Sequence, residues 1–141
     1  MALILGLDVG TKTIGVARMD DRVGIGTPWF TLSRSGVKAD LARLQSTWKQ
    51  LGEPISSVVV GLPLELDGTE GRSCRLARQV GDAVASLGLT VHYQDERFST
   101  VEAARRLTAA GHSTRDQKSI IDQAAAAVIL EDWHHRANQG D

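Results

Sequence analysis

The chain reads as an α/β protein: one mixed β-sheet, an antiparallel opening meander followed by parallel strands, with helices on both faces. Three observations predict this. The opening third is strand-like and punctuated by turn residues, with no helical spacing before residue 37. The later apolar runs alternate with helical periods, an order that favours parallel pairing through right-handed crossovers. At 141 residues and 42% hydrophobic, the chain has the length and the apolar content for one domain with a real core, residues 1–141.

Each element has its own local reason. Residues 3–9 form a strand, and after the Gly10-Thr11-Lys12 turn Thr13–Met19 forms a second, making a hairpin. Val23–Leu32 adds a third, interrupted by Gly24, Gly26 and Pro28. Apolar residues at Val37, Leu41, Leu44, Trp48 and Leu51 have helical spacing, stopped by Gly52 and Pro54. Ser57–Val60 is a short buried strand, and Gly61–Gly71 is a loop rich in turn residues. Arg72–Leu87 is a helix closed by Gly88, and Leu89–Tyr93 is the last strand. Ser99 and Glu102 have capping-box spacing for a helix that ends at Gly111. Thr114 and Gln117 repeat that spacing ahead of a helix over 115–133, with 134–141 expected to fray.

Composition excludes several classes. No apolar run approaches the roughly 18 residues a membrane-spanning helix needs. The N-terminus lacks the basic-plus-apolar pattern of a signal peptide. A single cysteine, Cys74, excludes an intrachain disulfide, and cytoplasmic residence is the expectation. Lys+Arg 16 against Asp+Glu 17 leaves a net charge of −1, so a nucleic-acid ligand requires locally concentrated basic residues. Aromatics at 4% argue against a stacking platform for single strands.

Three acids sit where acids are costly. Asp8 interrupts the apolar run Leu3–Val9, Glu96 lies where the last strand ends, and Asp122 lies within an alanine-rich helix. An ionised carboxylate in such surroundings must be paired, hydrogen-bonded or bound to a cation. Each has an ordinary reading: an Asx-turn for Asp8, a helix-start acid for Glu96. Asp122 is harder to dismiss, because it shares a helix face with Ala125, Ile129 and Trp133. Together the three suggest one convergent site for Mg²⁺ or Mn²⁺, suited to phosphodiester hydrolysis. Zinc does not fit, since His92, His112, His134 and His135 lack ligand spacing and Cys74 is alone.

Four segments carry a family resemblance. Gly6-Leu7-Asp8-Val9-Gly10-Thr11-Lys12-Thr13-Ile14-Gly15-Val16-Ala17 resembles the opening motif of the YqgF family, also described as Holliday junction resolvase-like proteins or pre-16S rRNA nucleases. Gly61-Leu62-Pro63-Leu64 with Asp67-Gly68-Thr69-Glu70-Gly71 resembles its second motif, and Asp95-Glu96-Arg97-Phe98-Ser99-Thr100 its third. Ile121-Asp122 with Ala124-Ala125 and Ile129-Leu130 resembles its fourth. The ordered set spans nearly the whole chain. The resemblance implies a ribonuclease H-like fold and assigns metal binding and catalysis to Asp8, Glu96 and Asp122. It implies a nuclease in ribosome biogenesis, processing the 5′ end of precursor 16S rRNA, with a resolvase of branched DNA or a non-catalytic ribosome-binding factor as alternatives. One departure stands out: where the family usually has Asn, this chain has Glu65.

Substrate phosphates would be met by Lys12 in the hairpin turn, by Arg72 and Arg75 on the stripe that Arg78 continues, by Arg97, and by Arg115 and Lys118 on another wall with Arg105 and Arg106. Solvated faces are the ordinary reading of such cations. The opening motif also resembles the phosphate-binding hairpin of actin-like and sugar-kinase proteins, but those need a second large domain. The expected partners are precursor rRNA or branched DNA, with ribosomal particles, and no membrane. Monomer and homodimer both stay open.

Overall fold

The computed structural model describes residues 2–97 and 99–139, and for residues 114–116, 118, 119 and 139 the backbone only. Its strands are β1 (Leu3–Val9), β2 (Thr13–Asp20), β3 (Thr27–Ser33), β4 (Ile55–Leu62) and β5 (Thr90–Asp95). They form one sheet in the order β3-β2-β1-β4-β5. β2 pairs antiparallel with β1 and β3, whereas β4 pairs parallel with β1 and β5. Helix α1 (Val37–Lys49) leads from β3 to β4, and α2 (Arg72–Ala85) crosses from β4 to β5. Helices α3 (Ser99–Ala109) and α4 (Thr114–Gln139) close the chain.

The period of two along β1 divides the core into layers. Leu5, Leu7 and Val9 pack with Leu44 and Trp48 of α1 and with Ala77, Val80 and Val84 of α2. Ile4, pointing the other way, packs with Ala126, Ala127, Ile129 and Leu130 of α4. Asp8 is in register with Ile4 and so faces α4. On that layer Ala103 of α3 meets Ala124, Ala125 and Val128. The four consecutive alanines, 124–127, are all buried, so α4 lies close against the sheet and against α3 at once.

Several boundaries differ from those expected: β5 runs on to Asp95 instead of ending at Tyr93, α2 ends at Ala85 instead of Leu87, and three further differences have a clear cause. Residues 23–26 lie outside β3, which starts at Thr27: the chain turns over 21–23, where the Val23 and Gly24 N–H groups both donate to the Asp20 carbonyl. Val23 and Ile25 are consequently 61% exposed. β4 runs from Ile55 to Leu62, because a strand flanked on both sides pairs along its whole length, Gly61 and Leu62 included. Helix α4 continues to Gln139, so 134–139 is helical where fraying was expected. The reason is docking: the His134 ring bonds the Asp21 carbonyl at 2.9 Å, and Trp133 lies 4.9 Å from the His92 ring.

Candidate active site

Two glycines let the acids approach one another. Opposite Asp8 on β2 is Gly15. A Cβ built there would lie 2.1 Å from the Asp122 carbonyl oxygen, so only glycine allows the α4 backbone to settle at this point. Glu96 continues β5: its N–H donates to the Leu62 carbonyl at 3.0 Å, which turns the side chain beneath Gly61. A Cβ on Gly61 would lie 2.9 Å from the Glu96 Cδ, so the missing side chain leaves room for this carboxyl.

Asp8 and Glu96 are hydrogen-bonded to each other. Burial pushes the Asp8 carboxyl up to about 6, and the charge of Asp122 adds to the rise. Burial pushes Glu96 up to about 9, reinforced by the charge of Asp8 and by the hydrogen bond between them. Glu96 is 8% exposed, and the Ser99 hydroxyl donates to its Oε2 at 3.3 Å. Among the described residues no lysine or arginine is a leading cause of either shift. The pair therefore holds a proton where a cation would otherwise be needed.

Asp40 shows the contrast. This acid is 1% exposed, yet it accepts from Arg34 Nε at 3.0 Å and from the Ser35 N–H at 2.8 Å. Its charge is compensated by its own chain, and that of Asp8 and Glu96 is not. Asp40 escaped the sequence reading, although a signal exists: it lies four residues before Leu44 and eight before Trp48, on the buried stripe of α1.

Asp122 stands beside the pair without joining it. Its Oδ2 accepts from Thr13 Oγ1 at 2.5 Å, and its charge is felt at Asp8. Among the described residues no three His, Cys, Asp or Glu side chains stand together closely enough to hold a metal ion. A hard cation such as Mg²⁺ nevertheless takes as few as one or two protein carboxylates, the rest being water and phosphate oxygens. The Asp8–Glu96 pair, all oxygen and lacking an internal counter-charge beneath Gly61, fits such an ion. Nitrogen and sulfur donors are occupied elsewhere: His92 packs on Trp133, and Cys74 is buried in the α1–α2 layer.

The predicted cations divide. Lys12 is exposed in the β1–β2 turn, and Arg72 and Arg75 are exposed in the first turn of α2, in the layer across the sheet from α4. Arg78, on the same stripe, is held by Glu70 at 2.6 and 2.7 Å and lies over the Tyr93 ring. Arg97 is committed to Asp95 at 2.9 and 3.0 Å and to the Leu66 carbonyl, so it steadies that acid and not Glu96. The Arg115 and Lys118 side chains lie outside the described residues. Arg105 and Arg106 pair with Glu102, and Arg106 also with Glu131. That corrects the capping-box expectation: the Glu102 carboxylate turns to these arginines, and the Ser99 hydroxyl donates back to Glu96. Glu65 is exposed and lies against Gly71, where a Cβ would meet its Oε1. A cleft of about 360 Å³ opens on Glu96 between β5, α3 and α4, with Arg136, unremarked in the sequence, among its lining.

Comparison with known proteins places this geometry in context. Residues 2–136 match the family model RuvX, described as Holliday junction resolvase. A Myxococcus xanthus protein named "Putative pre-16S rRNA nuclease" is 44% identical over 131 residues, covering 92% of this chain and 85% of that one. A protein of the same name from Anaeromyxobacter dehalogenans is 43% identical over 133 residues, covering 94% and 96%. Among solved structures, T. thermophilus RuvC in complex with Holliday junction substrate superposes with a TM-score of 0.55 at 17% identity, over 99% of this chain and 97% of that one. At that identity the likeness is one of fold, and the fold is the ribonuclease H-like one that the motifs led us to expect.

Proposed function

The chain belongs to the RuvX family, and from that premise we propose that it is a nuclease whose whole length forms one catalytic domain, with Asp8, Glu96 and Asp122 as its catalytic and metal-binding acids. The observation that carries the proposal is the Asp8–Glu96 pair. The two carboxyls meet at the carboxyl ends of β1 and β5, the strands on either side of β4, and burial raises both, whereas Asp40, the other buried acid of the described residues, is paired with Arg34. Such an arrangement weakens the folded protein unless a ligand uses it.

The ligand would be Mg²⁺ or Mn²⁺, held by Asp8 and Glu96 with Asp122 beside them. When bound, it would neutralise the carboxylates and stabilise charge developing on a scissile phosphate. The chain's own residues position and exclude. The cleft that opens on Glu96 would admit the ion, and release of the proton between the two carboxyls would free both as donors. Lys12, with Arg72 and Arg75 farther along, would meet backbone phosphates, which supplies affinity and orientation without reading bases. Water would attack in line and leave a 5′-phosphate. We assign the substrate as structured nucleic acid, foremost the 5′ end of precursor 16S rRNA, on the names carried by the relatives. The family description makes a four-way DNA junction the second substrate to test. Cytoplasmic residence accords with this role, and no helix among the described residues is long and apolar enough to cross a membrane.

The test is cleavage of labelled precursor rRNA and of a four-way DNA junction with Mg²⁺, Mn²⁺ or EDTA, using the wild type, Asp8→Asn and Asp122→Asn. Metal-dependent cutting abolished at least a hundredfold by both substitutions is the expected result. Binding without cutting by the folded wild type would replace the nuclease by a non-catalytic ribosome or nucleic-acid factor. Products ending in 2′,3′-cyclic phosphate would rule out water as the nucleophile.

A further inference from the structure

We propose that Thr13 is a positioning residue: its hydroxyl orients the Asp122 carboxylate, keeping one oxygen on the protein and leaving the other for a divalent cation. This rests on the nuclease reading above and names the residue that would prepare its third acid. The bond itself, Thr13 Oγ1 to Asp122 Oδ2 at 2.5 Å, joins β2 to α4 across 109 residues of chain. Among the described residues it is the side-chain hydrogen bond that Asp122 makes, and so the contact that sets the carboxylate's orientation there.

Both ends of that bond are held by backbone. The turn before Thr13 is closed by the Gly10 N–H on the Thr13 carbonyl at 2.8 Å. Arg34 braces the same turn twice: its N–H donates to the Lys12 carbonyl at 2.9 Å, and its guanidinium donates to the Gly10 carbonyl at 3.1 Å. The guanidinium is fixed in turn by buried Asp40. At the other end, α4 is seated on Gly15 at the Asp122 carbonyl, so the helix backbone has little room to move toward the sheet. What remains free is the rotation of the Asp122 side chain, and the Thr13 hydroxyl removes it. Helix α4 does not need this bond for adhesion, because its buried alanines, Ile129 and Leu130 already pack on the sheet and on α3. A hydroxyl behind a metal-binding carboxylate sets its direction, and losing such an outer partner typically weakens metal binding about 10- to 100-fold.

The experiment measures Mn²⁺ binding by calorimetry, together with cleavage of precursor rRNA, for the full-length wild type, Thr13→Val and Thr13→Ser. Valine keeps the shape and removes the donor, whereas serine keeps the donor. We expect Thr13→Val to bind Mn²⁺ about 10- to 100-fold more weakly, with kcat reduced, KM for RNA unchanged and metal-free Tm near the wild type's. Thr13→Ser should restore binding and kcat. Thr13→Val with wild-type Mn²⁺ affinity would overturn the proposal while leaving the nuclease intact. Valine and serine variants equally impaired, with a lowered metal-free Tm, would also overturn it, reducing Thr13 to a fold contact. A wild type that neither binds Mn²⁺ nor cuts would remove the nuclease reading and this role together.

Discussion

At the scale of the residue, absent side chains matter as much as the acids. Gly15 and Gly61 stand where a single methyl group would strike the Asp122 backbone and the Glu96 carboxyl. Gly15→Ala is the sharper case, because both contacting partners are backbone and neither can swing aside. Overpacking of this kind costs about 1–3 kcal/mol, so we expect a lowered Tm and a larger loss of activity as α4 and Asp122 shift outward. Wild-type cleavage by Gly15→Ala would show that the seating of α4 does not govern the site. Asp8→Asn should move the other way in stability. Removing an uncompensated buried charge is expected to stabilise the metal-free protein by about 1–3 kcal/mol at pH 8 while abolishing cutting. Chemical denaturation of the EDTA-treated proteins measures the first effect, and cleavage assays measure the second.

At the scale of the element, the opening hairpin depends on a contact from outside it. Arg34 follows β3 and Asp40 lies in the first turn of α1, yet together they brace the turn between β1 and β2. Asp40→Ala would leave a guanidinium that is 10% exposed without its partner. Breaking a buried pair from one side costs about 3–5 kcal/mol, which for a chain of this size lowers Tm by roughly 10 °C. Differential scanning calorimetry checks this, and an unchanged Tm would show that the brace contributes no stability. Helix α4 illustrates the same dependence on contacts beyond the element. Its alanine run has good helical propensity, but what carries it through Trp133 to Gln139 is the docking of Trp133 on His92 and of His134 on the Asp21 carbonyl.

At the scale of the whole molecule, the Asp8–Glu96 pair ties folding to pH and to metal. Both carboxyls are raised on folding, from 3.8 to about 6 and from 4.5 to about 9. The folded state therefore binds more protons than the unfolded state across that interval. Their contribution is fully present below about pH 4 and is lost as pH rises through 6 and toward 9. The metal-free protein should lose Tm over that range, and saturating Mg²⁺ should flatten the dependence by displacing the shared proton. Calorimetric titration of Mg²⁺ at pH 7.5 in buffers of differing ionisation enthalpy should detect proton release, close to one per site. No proton release and no stabilisation by Mg²⁺ would place the cation elsewhere.

Much of this was legible in the sequence, because much of it is local. Turn residues, helical spacing and apolar runs yielded the order of strands and helices, since each depends on neighbours a few positions away. Asp8 and Asp122 stood out because an acid in an apolar run departs from its own surroundings, and Glu96, at the end of the last strand, joined them through the ordered motifs that tied all three to a family. Three-dimensional packing decided the rest. It separated Asp40, paired with Arg34, from Asp8 and Glu96, whose carboxyls meet and are raised by burial, a difference that no neighbouring residue in the sequence reveals. It committed Arg78 and Arg97 to neighbouring carboxylates and left Lys12, Arg72 and Arg75 exposed. It also joined Thr13 to Asp122 across the sheet–helix boundary. The physical reason is one of range: backbone preference acts over a few residues, whereas the charge state of a buried acid and the partner of a hydroxyl depend on whatever the fold brings within a few ångströms.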